Sequence, residues 1–287
     1  ATGAERTRAK LVSNRPAPVA RRGGHVTSRA QAIREVIANG NFRRLWMAGG
    51  LAGGARWCEL VALGIFAYDV TGSPTLVALL GVARIAPFAL LGVTMGAIAD
   101  QTDQRKLVIA SFSLVLVTGL VMTGLALAGA ATYTAAFIAA IISGVFWVTD
   151  MPFRRKPMVA SLDQQHVPAA LSLDVTTSNA MRTLGPLAGG VIYQVAGLAG
   201  AYALATLIYA ACLALAVGTS TSPRAPSSGT ASRASAIGYL LPPPELLRNR
   251  RFLIIIGVTL VYNLWCFPLI GMVPVFAAKD FGFNAAW

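Results

Sequence analysis

Titratable chemistry is scarce in this chain: 287 residues hold two histidines, His25 and His166, three cysteines and only 11 Asp and Glu together. No His-Glu pair has metal-ligand spacing, and no nucleophile stands beside a base, so the clustered groups that a membrane enzyme needs are missing. Cys58, Cys212 and Cys266 each fall inside an apolar stretch with no His nearby. They read as small buried hydrophobes and carry no redox inference. Charged residues make up 12% of the chain against 55% hydrophobic residues, the composition of a polypeptide whose solvent is mostly lipid.

What is abundant is long apolar sequence. Seven stretches can be read, Leu45 to Ala67, Thr75 to Ala99, Leu107 to Leu127, Tyr133 to Val148, Leu173 to Val195, Ala199 to Val217 and Phe252 to Phe276. Each is long enough to cross the roughly 30 Å hydrocarbon core, and in lipid the backbone must satisfy its own hydrogen bonds, so each is expected to be a helix. Twenty of the 24 Lys and Arg residues lie before the first stretch or in the second, fourth and sixth gaps, among them Arg105 and Lys106 and the run Arg154, Arg155 and Lys156. The first, third and fifth gaps hold none. The net charge of +13 therefore reports topology and anionic-lipid contact rather than nucleic-acid binding, and puts the N-terminus in the cytoplasm. A receptor with seven helices and an external N-terminus conflicts with that charge placement.

Residues 1–40 are rich in Arg, Ala, Ser and Pro and read as a disordered basic cytoplasmic tail, with a short amphipathic helix beginning near Ser28. Residues 41–218 read as a six-helix transmembrane bundle. The tract 219–250 reads as a flexible cytoplasmic linker because its Ser, Thr, Pro, Arg and Gly residues cannot bury a core. Residues 251–287 then open a second bundle: a shift of about 210 places Asn39-Gly40-Asn41-Phe42 over Asn249-Arg250-Arg251-Phe252, and Trp57 over Phe267. A parallel repeat of six-helix units explains this register. The chain starts without Met and ends where an eighth span is due, so a missing C-terminal half of the same protein is expected as its partner.

Charges inside the spans mark candidate function. Arg56 stands 11 residues into the first stretch, roughly 16 Å deep, with Glu59 one turn further on the same face. Arg84 and Arg182 reach a similar depth in the second and fifth stretches. Lipid-facing charge there costs about 2.5 to 3.5 kcal/mol per residue, so these side chains should face the bundle interior or a wet cavity. Glu59 is expected to take a proton or cation, and Arg56 and Arg84 to attract an anionic group. The alternatives are mutual neutralisation of Arg56 and Glu59, or arginines that cap interhelical carbonyls.

Two segments suggest moving parts. Gly96 to Lys106, with Asp100 at a helix end and Arg105 and Lys106 after it, can form ion pairs in one state and release them in another. In the fifth stretch, Asn179 and Arg182 precede Gly185-Pro186-Leu187-Ala188-Gly189-Gly190, a pattern for a hinge, a tight helix contact, or both.

These residues resemble the major facilitator superfamily, and within it the drug and siderophore exporter branch of enterobactin-exporter-like proteins. The resemblance rests on Phe42 through Lys106, with Tyr68-Asp69-Val70-Thr71-Gly72-Ser73-Pro74, Arg84, Pro87 and the loop Gly96 to Lys106, and on Asn179 to Gly190, where Gly185, Pro186, Gly189 and Gly190 match the helix-five antiporter motif. It implies an all-α integral membrane fold of twelve helices in two halves, a central cavity open alternately to each face, and proton-driven export, with Asp100 and Arg105 as gating residues. Two departures stand out. Gln101, Asp103 and Gln104 replace the Arg, Gly and Arg usual in the loop motif, and Tyr133 to Val148 lacks the arginine many proton-coupled members carry in helix four. The expectation is export of small amphipathic molecules across a bacterial inner membrane, with the lipid bilayer as surroundings, no nucleic-acid partner and no cofactor beyond the proton gradient. A nutrient importer of the same fold is the alternative.

Overall fold

The computed structural model describes residues 29–219 and 250–261, at some helical positions, 96 and 100 among them, to the backbone alone. The expected tail before residue 29, the linker from 220 to 249, the rest of span seven and Cys266 lie outside the described residues.

Helix α1 (Arg29–Ala38) is the short helix expected near Ser28, and Asn39 separates it from α2 (Gly40–Thr71). Asn39 joins two ends at once: its side chain accepts from the Phe42 amide at 3.0 Å, satisfying an orphan N–H of the first turn, and donates to the Ser161 carbonyl at 2.7 Å. Helix α2 stops at Gly72, whose φ of 61° is the left-handed geometry a helix C-terminus favours. Ser73 then caps α3 (Pro74–Gln101), with proline in the first turn where its missing N–H costs nothing. Asp103 and Thr132 cap α4 (Gln104–Leu127) and α5 (Tyr133–Ala160) in the same way. After a 3-10 turn at Gln164–His166 come α6 (Val167–Val217) and α7 (Arg250–Val261), the latter at the expected start of span seven.

Helix α6 contains two spans. At about 1.5 Å per residue its 51 residues would run about 75 Å as a straight rod. The chain instead breaks at Gly197, with φ 62° and ψ −161°, a conformation open essentially to glycine alone. Before the break, Thr177, Met181 and Gly185 meet α2 at Gly50, Gly54 and Trp57, so the first arm runs parallel to α2. After it, Leu198, Ala201 and Tyr202 pack with Leu63 and Phe66, while Tyr209, Cys212 and Ala216 pack with Leu45, Ala48 and Ala52, so the second arm runs back. Helices α2 to α6 are long and apolar enough to cross a membrane, and the break supplies the sixth span.

The remaining directions follow from single contacts. Tyr133 donates to the Leu76 carbonyl at 2.9 Å, placing the starts of α3 and α5 together. Arg105 at the start of α4 reaches Val217 at the end of α6. The six spans therefore alternate in direction, with α1 and the α3–α4 turn at one end, here called the basal end.

One boundary differs from expectation. The fourth span does not stop at Val148: α5 continues as helix to Ala160 through Pro152 and Pro157. Arg154, Arg155 and Lys156 are thus helical residues rather than a loop, and Arg154 is buried. Hydropathy falls there because of the charges, yet the bundle neutralises them, as described next.

Candidate functional site

Glu59 sits on the inward face of α2 with 4% exposure. Its Oε2 accepts from the Tyr209 hydroxyl at 3.0 Å and from the Ser143 hydroxyl at 3.4 Å, so two helices besides its own hold it. The guanidinia of Arg84 and Arg56 are its charged neighbours. Arg84, with 2% exposure, donates from Nη2 to the Arg56 carbonyl at 2.6 Å, tying α3 to the middle of α2. Gly144 makes room: a Cβ there would collide with the Arg84 carbonyl, so only glycine lets α5 lie against α3 at this level.

Arg56 also faces a second carboxylate. Its guanidinium lies over the Trp147 ring, 5.2 Å from the centroid, and Nη1 is 3.9 Å from Asp150 Oδ2. Among the described residues, Nε and Nη1 of Arg56 and Nη1 of Arg84 are buried without a hydrogen-bond partner. Arg182 on the first arm of α6 places its guanidinium 5.2 Å from the Trp57 ring. Asn179 is exposed on the same arm, where its carbonyl accepts from Thr183 Oγ1 at 3.5 Å, and does not join the group. Of the five expected cavity residues, three meet at mid-depth, Arg182 stands one tryptophan away and Asn179 stands apart.

Toward the basal end lies a cluster that the sequence reading did not pick out. Arg154 Nε donates to Asp150 Oδ1 at 3.1 Å, and its Nη1 donates to Asp174 Oδ1 at 2.8 Å. Arg155 Nε donates to the other Asp174 oxygen at 2.8 Å. Asp150 and Arg154, four apart on one helix, were a visible signal. Asp174 is 20 residues from Arg154 on another helix, and nothing in local pattern announces that pairing. With Arg56 above Asp150, the ionic groups form a continuous ladder down α2, α5 and the first arm of α6.

Two glycines of the Gly-Pro motif lie tightly against α2. A Cβ on Gly185 would come within 2.5 Å of the Trp57 Cβ, and one on Gly189 within 2.7 Å of the Cys58 carbonyl oxygen. These two glycines let the first arm of α6 touch the backbone of α2 beside Arg56 and Glu59. Gly190 is half-buried, and the arm stays helical through Pro186, bending into a new direction only at Gly197.

The loop after α3 is partly visible. Gly96 and Asp100 lie in the last turns of α3, and their side chains are outside the described residues. Arg105 Nη2 donates to the Val217 carbonyl at 2.7 Å, and Arg44 Nη1 donates to the Gly218 carbonyl. Two cations thus cover the orphan carbonyls at the negative end of the α6 dipole. Lys106 is exposed.

Comparison with known proteins places this geometry in context. A family model described as transmembrane secretion effector matches residues 35–230, more than half of the 287 residues. Comparison with curated proteins and with solved structures finds no match.

Proposed function

The chain belongs to the transmembrane secretion effector family of major facilitator-type membrane transporters, and from that premise we propose that it exports small amphipathic molecules in exchange for protons. The bundle described here would form one wall of a cavity that opens alternately to each face. Its N-terminus would lie in the cytoplasm and its surroundings would be the inner, plasma membrane. A C-terminal half of the same protein, beginning with α7, would close the cavity beyond a cytoplasmic linker.

The observation that carries this reading is Glu59. A carboxylate at mid-depth, buried and held by two hydroxyls, is costly to keep charged in a low-dielectric interior unless cations stay close. Arg84 and Arg56 meet that need in the deprotonated state. Protonation removes it, so the two states of Glu59 favour different arrangements of α2, α3 and α5, which is what coupling to a conformational cycle requires. Gly185 and Gly189 bring the first arm of α6 onto α2 at this level, so a shift of α2 would be transmitted to it. No metal or cofactor is assigned; the energy source would be the proton gradient.

The test is Glu59→Gln in the complete protein, reconstituted in vesicles with an imposed pH gradient. Loss of proton-driven efflux with normal membrane yield is the expected result. Unchanged efflux would remove Glu59 from the mechanism, and proton-driven uptake in right-side-out vesicles would overturn export itself.

A further inference from the structure

The two arms of α6 grip α2 from different sides and leave a strip of it uncovered between them at the basal end. The first arm meets α2 along Gly50, Gly54 and Trp57, and the second packs along Leu45, Ala48 and Ala52. Arg43, Met47 and Leu51, four residues apart and so in one row on the helix, fall between these two contact faces. Met47 is 43% exposed and Leu51 37%. One turn higher the strip closes, because Met181 of the first arm sits over Gly54 and Ala55 is fully buried. The groove therefore has an apolar floor, a closed upper end and an open basal mouth.

Its length and its charge fit one kind of occupant. Eleven residues separate Arg43 from Gly54, about 16 Å of helix, half of the roughly 30 Å hydrocarbon core and so the depth of one leaflet. Two guanidinia stand at the mouth. Arg43 Nη1 donates to the Ile37 carbonyl near the end of α1 at 3.4 Å, and Arg44 Nη1 donates to the Gly218 carbonyl at the end of the second arm. Each spends one nitrogen on a carbonyl, and both residues are exposed. Among the described residues no carboxylate pairs with either, since Glu35, the one acid of α1, lies 2.8 Å from His166 Nε2 instead. Both arginines immediately precede Leu45, where the first apolar stretch begins, which puts them at the level of the head groups. A water-filled path would call for a polar wall. Methionine and leucine beneath paired arginines suit a molecule with an apolar tail and an anionic head.

We propose that this groove binds an anionic phospholipid of the basal leaflet, with its phosphate between Arg43 and Arg44 and one acyl chain along Met47 and Leu51 between the arms of α6. The charge pattern of the sequence calls for anionic lipid at this end in general, and the groove gives that lipid a place. The site is separate from Glu59 and does not depend on the direction or the coupling of transport.

The test counts the lipids retained by the purified full chain in maltoside micelles, by native mass spectrometry, with dioleoylphosphatidylglycerol and dioleoylphosphatidylcholine offered in equal amounts. A tightly held phosphatidylglycerol is expected, favoured over phosphatidylcholine by about tenfold to thirtyfold, the contribution of two arginines close to an anionic surface. Arg43→Gln with Arg44→Gln should bring the two lipids to near equality. Arg43→Gln alone leaves the Gly218 carbonyl capped, so it remains informative if the double variant does not fold, and it should lose about fivefold of the preference. Leu51→Trp fills the groove and should lower retention of both lipids alike, while acyl-free glycerophosphoglycerol should not compete. Equal retention of the two lipids by the unaltered chain would overturn the proposal. So would a preference that survives the double variant, which would assign it to the basic residues before α1, or retention untouched by Leu51→Trp, which would mean that the head group alone is held at the surface. Retention of neither lipid would mean that another part of the protein covers the groove, and would overturn it too.

Discussion

Replacing Asp174 by Asn removes the charge that two arginines share, and its consequence can be worked from the geometry. Asp174 and Arg154 are 2% and 3% exposed, and each Asp174 oxygen receives one guanidinium at 2.8 Å. An asparagine offers one acceptor and turns an NH₂ toward the other arginine. Arg154 keeps Asp150 but loses its closest partner in a place water does not reach. Breaking one partner of a buried ion pair costs about 3 to 5 kcal/mol. Arg155, at 28% exposure, adds little because solvent screens it. At about 2 to 4 °C per kcal/mol for a chain of this size, the low end corresponds to a fall in Tm of about 6 to 12 °C. The assay is thermal unfolding in detergent, followed through a double-mutant cycle with Arg154→Met. Replacing both partners should recover part of the loss, with a coupling energy of about 1 to 3 kcal/mol. A single-variant loss below about 1 kcal/mol, or simple additivity, would refute the view that this cluster holds α5 to the first arm of α6.

Three other outcomes are expected. Gly189→Val pushes a branched side chain against the Cys58 backbone, which should cost about 1 to 3 kcal/mol and lower Tm in thermal unfolding. Gly197→Ala must adopt φ 62°, at a cost of about 1 to 3 kcal/mol, seen as faster amide exchange around residues 194–200. Arg105→Gln loses a charge-assisted bond to Val217; it should change global stability by about 1 kcal/mol or less but speed exchange of the 214–219 amides, and an efflux defect without that fraying would point to a gating role instead.

The sequence revealed most of the fold through two simple quantities. Hydropathy located the helices because lipid leaves a spanning chain no alternative to helix, and the cap residues Asn39, Ser73, Asp103 and Thr132 lie where those helices start. It misjudged the end of α5 because it scores Asp150, Arg154 and Arg155 as though each met solvent or lipid alone. Their partners come from α2 and α6, and a side chain that is expensive unpaired becomes tolerable beside the right carboxylate. Gly197 falls between the fifth and sixth stretches, and its backbone conformation there is open essentially to glycine alone.

The level of Arg56, Glu59 and Arg84 along their helices was likewise legible, because position in a helix is counted at a fixed rise per residue. Rotation about the helix axis is not counted that way. Whether Arg56 meets Glu59 three residues along or Asp150 across the bundle depends on how α2 is turned against α5. That choice is set by where glycine permits backbones to touch, at Gly144, Gly185 and Gly189. Sequence alone determined that this is a multi-pass membrane protein and where along each helix its charges lie. Only the tertiary structure decided which charges face one another, because pairing across helices depends on azimuth and packing distance, and neither is written in any single segment.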